Sequence, residues 1–235
     1  PAEGPEEPLR ALQAATEVWS STHQAGLAAV SDCLLIQFAR APVEGAVKTR
    51  LQPPLDPRQA CDLHRELMQW TARQLLDARL GEVELWLDRD SDDPAVEACM
   101  RMGVAARRLQ RGNDLGARMY HALQDGLSRR PRVLLVGSDC PGLDAAYLQG
   151  AADALHAVEL VIGPALDGGY VLLGGRRVVP ELFRDIEWGG HTVFAQTVRR
   201  VRDSGLRRRE LVPRQDIDRP ADLATWEAVR ATFPG

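Results

Sequence analysis

The stretch "RVLLVGSDCPGLD", from Arg132 to Asp144, contains the pattern that decides the fold. Its apolar part, residues 132–137, is short and ends at a glycine, which is typical of a strand buried on both faces. A polar loop follows, and Asp144 is a residue type that caps the N-terminus of a helix. A buried strand that leads through a short loop into a helix is the repeating unit of α/β domains.

The same pattern recurs along the chain. Similar apolar runs lie at residues 33–38, 83–87 and 158–163. Helical segments with aspartate at their start separate these runs. The longest begins at Asp56, extends to about Leu80 and is predicted to end at Gly81. No linker or repeat interrupts the alternation, so the sequence predicts a single α/β domain with a mainly parallel central sheet flanked by helices.

The composition limits the classes of partner. The chain has 235 residues, 45% of them hydrophobic, and a formal net charge of -4. It has no overall positive field to attract nucleic acid, so an anion must be bound by a local group of side chains. No apolar run approaches the roughly 20 residues needed to cross a bilayer, and the first ten residues are acidic where a signal peptide is basic. We therefore expect a cytoplasmic protein without a membrane span.

Three loops near predicted strand ends carry aspartates. Asp139 follows the run at 132–137, Asp167 follows the run at 158–163, and Asp218 precedes the last predicted helix. Open α/β sheets bind ligands at the carboxyl ends of their strands, and several carboxylates there are typical of a site for a divalent cation such as Mg²⁺. Each aspartate also has a simpler interpretation: Asp139 as a turn residue, Asp167 as part of an Asp-Gly hairpin, and Asp218 as a helix cap.

A basic loop follows the first predicted strand. The segment "FARAPVEGAVKTRL" places Lys48 and Arg50 shortly after Gly45. Lysine offers phosphate a point charge and arginine a planar fork, and a glycine allows close approach of the backbone. Carboxylates that face such a loop predict a site for a nucleotide diphosphate or triphosphate. The segment lacks the glycines of a P-loop, and no GxGxxG follows a strand, which disfavours a Walker ATPase or a Rossmann dehydrogenase.

Six motifs together resemble a known family: "FARAPVEGAVKTRL", "GNDLGARM", "GSDCPGLD", "PALDGGYVLLG", "WGGHTVF" and "DIDRPADL". In order, from about Leu34 to Leu223, they are similar to the DUF2064 family, also described as arsenosugar-biosynthesis-type glycosyltransferases. That family belongs to the nucleotide-diphospho-sugar transferase superfamily with the GT-A fold. The resemblance implies a GT-A-like domain over residues 31–235. Residues 1–30 fall outside it, and their apolar pattern predicts an N-terminal helical extension.

The resemblance also implies roles for the aspartates. Asp139 and Asp218 match the metal ligands of related enzymes, so the expected cofactor is Mg²⁺ or Mn²⁺. Arg219 stands where cytidylyltransferase relatives have threonine, a departure that leaves the carboxylate of Asp218 in place. Asp139, Asp167 and Asp218 are the predicted catalytic residues. The predicted substrate-binding residues are Arg40, Lys48, Arg50, Asp114, Gly168, Gly169, Trp188 and His191.

Two of these assignments have structural alternatives. Asp114 either faces the substrate, caps a helix or pairs with Arg118 one turn away. Trp188 and His191 flank two glycines, which indicates either a segment that closes on ligand or a partly buried tryptophan beside a surface histidine.

Three functions share the predicted residues. The first is a metal-dependent glycosyltransferase with a nucleotide-diphospho-sugar donor and a small-molecule acceptor. The second is a nucleotidyltransferase that takes an NTP and releases pyrophosphate, since "KTRL" is similar to guanylyltransferases of the cofactor F420 pathway. The third is a nucleotide-binding module without turnover. All three need the phosphate grip of Lys48 and Arg50, so these residues do not choose among them.

Overall fold

The computed structural model describes residues 32–231. The predicted helical extension over residues 1–30 lies outside this range, so the division into residues 1–30 and 31–235 stays a prediction. No helix in the described range is long and apolar enough to cross a membrane.

Strands and helices alternate as the apolar runs predict. The strands are β1 (Cys33–Ala39), β2 (Gly81–Leu87), β3 (Ala106–Leu109), β4 (Arg132–Gly137), β5 (Leu160–Pro164), β6 (Tyr170–Gly175) and β7 (Arg208–Glu210). The α-helices are α1 (Pro57–Asp77), α2 (Pro94–Met102), α3 (Leu115–Leu127), α4 (Ala145–Ala154), α5 (Val193–Asp203) and α6 (Leu223–Arg230). Short 3₁₀ turns span Thr49–Leu51, Pro180–Phe183 and Pro220–Asp222.

The seven strands form one sheet in the order β3-β2-β1-β4-β6-β5-β7. All neighbours pair in parallel except β6, which is antiparallel to β4 on one side and to β5 on the other. The predicted α/β class with a mainly parallel sheet is therefore confirmed, and so is the predicted hairpin that joins β5 to β6.

Helices cover both faces of the sheet, and β1 shows why. All seven of its residues are buried, and successive side chains enter opposite hydrophobic clusters. Leu35 packs in the cluster that includes α1, α2 and α4, whereas Leu34 and Ile36 pack in the cluster that includes α3 and α5. This two-sided burial explains the mostly apolar run in the sequence, in which the buried Gln37 is the one polar residue.

The start of α1 agrees with its sequence signal, but its end does not. Asp56 and Gln59 form a capping box, in which each side chain accepts a hydrogen bond from the other's backbone N–H. The helix ends at Asp77, and Arg79 then adopts a left-handed φ of 53°. The prediction that Gly81 ends the helix is wrong, because the chain has already turned at Arg79 and Gly81 begins β2.

A third hydrophobic cluster positions two loops. Leu51, at the end of the basic loop, and Ile217, beside Asp218, pack with Trp226 of α6 against Leu63 and Leu67 of α1. Leu51 and Ile217 are both fully buried. Segments far apart in sequence are thus fixed on the same helix, which brings the predicted phosphate loop next to a predicted metal ligand.

Candidate functional site

A cleft of about 740 Å³ lies at the carboxyl ends of β1, β2 and β4. This is the edge at which open α/β sheets bind ligands. Five residues predicted to act at the site line this cleft: Arg40, Lys48, Arg50, Asp139 and Asp218. We call it the first cleft.

Lys48 and Asp139 form an ion pair in the floor of the first cleft. Lys48 Nζ lies 2.8 Å from Asp139 Oδ1 and also donates to the carbonyl oxygen of Ile217. The lysine side chain is only 4% exposed, whereas that of Asp139 is 47% exposed. Lys48 also has a left-handed backbone, with φ 50° and ψ 34°. Such a conformation costs free energy in a non-glycine residue and is often found at functional sites.

Lys48 is the only lysine in the sequence, and the other 28 of the 29 basic residues are arginines. Its site is enclosed, and a compact ammonium fits between a carboxylate and a carbonyl where a planar guanidinium needs more room. The position therefore uses the distinctive shape of lysine as well as its charge.

The charge of Lys48 changes the pKa of Asp139. Burial raises the pKa of this carboxyl, but Lys48 and, more weakly, His64 and Arg40 outweigh burial and leave the pKa below its ordinary value. Asp139 is thus held as a carboxylate.

A second ion pair lies beside the first. Arg50 Nη1 donates to Asp218 Oδ2 at 2.7 Å, and the backbone N–H of Ile217 donates to the carbonyl oxygen of Asp139 at 2.8 Å. The interpretation of Asp218 as a helix cap is wrong, because Asp222 accepts the backbone N–H groups of Asp218 and Arg219. The carboxylate of Asp218 instead faces the first cleft.

Asp216 is an acidic group that the sequence analysis did not select. Burial raises its pKa to about 6, and the negative charge of Asp167 adds to this effect, followed by those of Asp139 and Asp218. Four carboxylates therefore influence one region. The sequence "DID" indicates this arrangement. Successive side chains of an extended segment point to opposite sides, so Asp216 and Asp218 lie on the side opposite the buried Ile217.

The carboxylates fit a divalent ion only together with a ligand. In residues 32–231, no three histidine, cysteine or acidic side chains are grouped closely enough to hold a metal. Mg²⁺ is commonly bound by one or two carboxylates, with waters and substrate phosphates completing its shell. Asp139 and Asp218 match that pattern, since both are ionic partners at one cleft.

A smaller cavity of about 210 Å³ adjoins the first cleft, and we call it the second cavity. Phe38, Arg50, Leu115 and Gly137 line both spaces. Asp167 and Gly169, from the β5–β6 turn, line only the second cavity of the two.

The β5–β6 turn packs against the loop "WGGH" at residues 188–191. Asp167 Oδ1 accepts the backbone N–H of Gly169 at 2.8 Å, as the hairpin interpretation expects. Gly168 has a φ of 95°, and a Cβ there would overlap the carbonyl oxygen of His191. Its own carbonyl accepts the N–H of Phe194 at 2.9 Å. Gly168 therefore permits close packing of the turn against the "WGGH" loop.

Trp188 forms one wall of the second cavity. A Cβ added to Gly116, in the first turn of α3, would lie 2.5 Å from the Trp188 ring, and the ring of Tyr170 meets it edge-on at 6.5 Å. Trp188 is partly buried and the His191 side chain is exposed, as the structural alternative expected. A movement of this loop and a substrate contact of His191 stay predictions.

Asp114 caps α3. Its Oδ1 accepts the N–H of Ala117 at 2.7 Å, while Arg118 donates to the carbonyl of Gly112 at 3.2 Å. The capping interpretation is confirmed, and a contact of Asp114 with substrate stays a prediction.

The family model for DUF2064, an uncharacterized protein family conserved in bacteria, matches residues 71–190. This chain belongs to the DUF2064 family. No curated protein matches this DUF2064 member.

Solved structures extend the comparison over most of the DUF2064 chain. A "putative nucleotide-diphospho-sugar transferase" from Desulfovibrio desulfuricans G20 is 29% identical, with a TM-score of 0.73, and the match covers 86% of this chain and 98% of that one. Rv0371c from Mycobacterium tuberculosis H37Rv, solved with manganese, is 19% identical with a TM-score of 0.53, covering 86% and 100%. The 2-C-methyl-D-erythritol 4-phosphate cytidylyltransferase from Thermus thermophilus is 18% identical with a TM-score of 0.51, covering 85% and 99%. The DUF2064 chain thus has the nucleotide-diphospho-sugar transferase fold.

Two further residues of this DUF2064 protein, Asp88 and His64, line the first cleft and were not among the predicted site residues. Asp88, just after β2, accepts the N–H of Ala41 at 2.7 Å and lies 4.0 Å from Arg40. His64 is buried within α1, its Nε2 lies 2.9 Å from the Arg40 carbonyl, and burial lowers its pKa. The position of Asp88 directly after a predicted strand could have indicated a site residue. The position of His64 is typical of any polar residue in an amphipathic helix.

Proposed function

We propose that this DUF2064 protein is a metal-dependent glycosyltransferase that uses a nucleotide-diphospho-sugar donor and a small-molecule acceptor. The observation that carries the proposal is the pair of adjacent ion pairs, Lys48–Asp139 and Arg50–Asp218, in the first cleft. The similarity to the Desulfovibrio protein supports the choice of donor.

The charges of a metal-bound diphosphate match those of the two ion pairs. The metal would take the place of the two cations beside the carboxylates, and the phosphates would take the place of the two carboxylates beside the cations. Without ligand, each cation neutralises a carboxylate. A divalent cation favours carboxylate oxygens, and phosphate favours ammonium and guanidinium groups. Binding of a metal–diphosphate complex would exchange both ion pairs for four new contacts and leave no charge unpaired in the cleft.

The same groups would assist departure of the nucleoside diphosphate. In glycosyl transfer the bond from the anomeric carbon to the phosphate oxygen breaks, and negative charge grows on the diphosphate. Lys48 and Arg50 would stabilise that charge from fixed positions, without reorganising water. A bound divalent ion would supply further neutralisation of the leaving group.

Nucleotidyl transfer is the alternative, and the similarity of the fold to a cytidylyltransferase supports it. In that reaction the acceptor attacks the α-phosphorus of an NTP and pyrophosphate leaves. Lys48 and Arg50 would bind a triphosphate by the same contacts, so substrate preference must separate the two reactions.

Thermal unfolding in the presence of a ligand panel tests the proposal. The panel contains UDP-, GDP-, dTDP- and CDP-sugars and the free NTPs, each with and without Mg²⁺ or Mn²⁺. A donor at 100 times its Kd should stabilise the protein by about 2.7 kcal/mol, or roughly 5–10 °C in Tm for a chain of this size.

Asp139→Asn should abolish the metal-dependent part of this shift. Asp185→Asn is the matched control, because Asp185 is 84% exposed and lines neither cavity. A preference for NTPs with release of pyrophosphate would instead establish nucleotidyl transfer. Stabilisation that does not depend on metal in either variant would overturn metal dependence.

A further inference from the structure

The second cavity differs in chemistry from the first cleft. Its wall is mostly apolar and aromatic, with Phe38, Met119, Tyr170 and Trp188 among the residues that form it. The hydroxyl of Tyr170 is directed at the sulfur of Met119, 3.7 Å away, and so contributes no free polar group. Such a wall favours an apolar ligand body.

The few charged groups at the second cavity disfavour an anion. Among the described residues that line it, Arg50 is the only one with a cationic side chain, and Asp218 already pairs with it at 2.7 Å. Asp167, an acidic residue, also lines the second cavity. A phosphate or carboxylate bound there would meet negative charge without a free partner.

The size of the second cavity limits the ligand further. A cavity of about 150 Å³ in an engineered protein interior is known to bind benzene. The second cavity, at about 210 Å³, therefore has room for one six-membered ring and a short substituent.

We propose that the second cavity binds an uncharged acceptor that has an apolar body of about one ring and a hydroxyl group, and that Asp167 receives the hydroxyl proton. This assignment rests on the proposed glycosyl transfer. Asp167 is positioned for the role because it lines the second cavity, and Arg50 lines both this cavity and the first cleft. The hydroxyl would thus lie between the apolar wall and the donor.

The proposed step balances without an additional reactant. The acceptor O–H bond breaks as the new bond from its oxygen to the anomeric carbon forms. The proton goes to the free oxygen of Asp167, whose other oxygen holds the Gly169 N–H. The nucleoside diphosphate leaves with the electron pair of the old bond.

Two probes with the same apolar body separate charge from shape. Benzyl alcohol and benzyl phosphate are titrated by calorimetry against the full chain carrying Lys48→Ala, which lacks a proposed phosphate contact of the first cleft, and glycerol serves as a polar alcohol. We expect benzyl alcohol to bind at least about tenfold more tightly than benzyl phosphate, because the phosphate would be repelled by the carboxylate of Asp167. Glycerol should bind more weakly than benzyl alcohol, because it buries little apolar area.

Tryptophan fluorescence locates the probe. Benzyl alcohol should change the emission of the wild-type protein, and this change should be lost in Trp188→Phe, which keeps an aromatic wall. An unchanged response in Trp188→Phe would place the probe elsewhere and overturn the assignment.

A charge introduced at the wall provides a gain-of-function test. Leu115 lines the second cavity and is 45% exposed, so Leu115→Arg should fold, and it should raise affinity for benzyl phosphate relative to benzyl alcohol. Leu115→Met is the matched control and should keep the wild-type preference. Tighter binding of benzyl phosphate than of benzyl alcohol to the Lys48→Ala protein would refute the proposal.

A parallel titration with the best nucleotide sugar keeps the two proposals separate. Lys48→Ala should weaken binding of the nucleotide sugar and leave the affinity for benzyl alcohol unchanged. If the nucleotide does not bind the wild type but benzyl alcohol does, the proposed function fails while the ligand class of the second cavity stands. If the nucleotide binds and benzyl alcohol does not, the acceptor class is wrong.

Discussion

The two ion pairs of the first cleft should respond differently to removal of their cations. In the first, the side chains of Lys48 and Asp139 are 4% and 47% exposed, and in the second, those of Arg50 and Asp218 are 57% and 28% exposed. Lys48→Met and Arg50→Gln remove one positive charge each and keep a side chain of comparable length. The comparison therefore contrasts the loss of a buried cation with the loss of an exposed one.

Lys48→Met should lower the free energy of unfolding by about 1–3 kcal/mol. Losing one partner of a fully buried pair costs about 3–5 kcal/mol, and a hydrogen bond to a charged group contributes about 1.5–3 kcal/mol. The lower range applies because half of Asp139 is exposed to water, although its Oδ1 is buried. Arg50→Gln should cost less than about 1 kcal/mol, because the guanidinium is solvated. Lys48 should therefore affect folding as well as binding.

The pH dependence gives a second readout with a definite sign. In the wild type the pKa of Asp139 is lowered, so its contribution to stability is present above the unfolded pKa of about 3.8 and is lost as pH falls through the folded pKa. In Lys48→Met, burial is the largest remaining influence and should raise that pKa. Asp139 would then destabilise the fold increasingly as pH rises from acid to neutral.

Urea unfolding at several pH values, with ¹³C NMR of the Asp139 carboxyl, measures both effects. Lys48→Arg is the control that keeps the charge but changes the shape of the head group, and it should retain a lowered pKa at Asp139. Equal losses of stability in Lys48→Met and Arg50→Gln, or an unchanged titration of Asp139 in Lys48→Met, would refute the reasoning.

Three further predictions concern the packing and charge around the site. Asp216→Asn should raise the free energy of unfolding by about 1–3 kcal/mol at pH 7 and by little near pH 4 in urea titrations, because a pKa raised to about 6 makes the ionised group destabilising as pH rises. Gly116→Ala should displace Trp188, since the new Cβ would lie 2.5 Å from its ring. The displacement should shift tryptophan emission and weaken the binding of benzyl alcohol measured by calorimetry. Ile217→Ala and Leu148→Ala both open fully buried positions and should each cost about 2–5 kcal/mol, but only Ile217→Ala, beside the site, should also weaken nucleotide binding below its Tm.

The central strands were predictable because their burial on both faces produces mostly apolar runs, whereas the polar edge strands β3 and β7 were not predicted. β4 occupies residues 132–137 as predicted, and β1 extends the predicted run by one residue to Ala39. Helix starts were also local, as the capping box at Asp56 shows. The end of α1 could not be predicted from the local sequence, because Arg79 adopts a positive φ that its residue type does not indicate.

The partners of the charged residues were not predictable in the same way. The sequence predicted carboxylates that face a basic loop, whereas in the structure Asp139 and Asp218 pair directly with Lys48 and Arg50 of that loop. Arg50 and Asp218 are 168 positions apart, and their contact depends on the packing of Leu51 and Ile217 against α1. Periodicity describes which face of an element is buried, but it contains no information about which loops meet.

This packing fixes the basic loop and the acidic segment 216–218 to the same hydrophobic cluster. Leu51 ends the turn that begins after Lys48, and Ile217 lies between Asp216 and Asp218, so one hydrophobic contact sets the positions of both groups. The Ile217 carbonyl also accepts from Lys48, while its N–H donates to the carbonyl of Asp139. A buried apolar residue thus fixes the backbone on which the ion pairs depend. The proposed exchange of these pairs for a metal–diphosphate complex would therefore start from a backbone that is already in place, and such preorganisation reduces the entropic cost of binding.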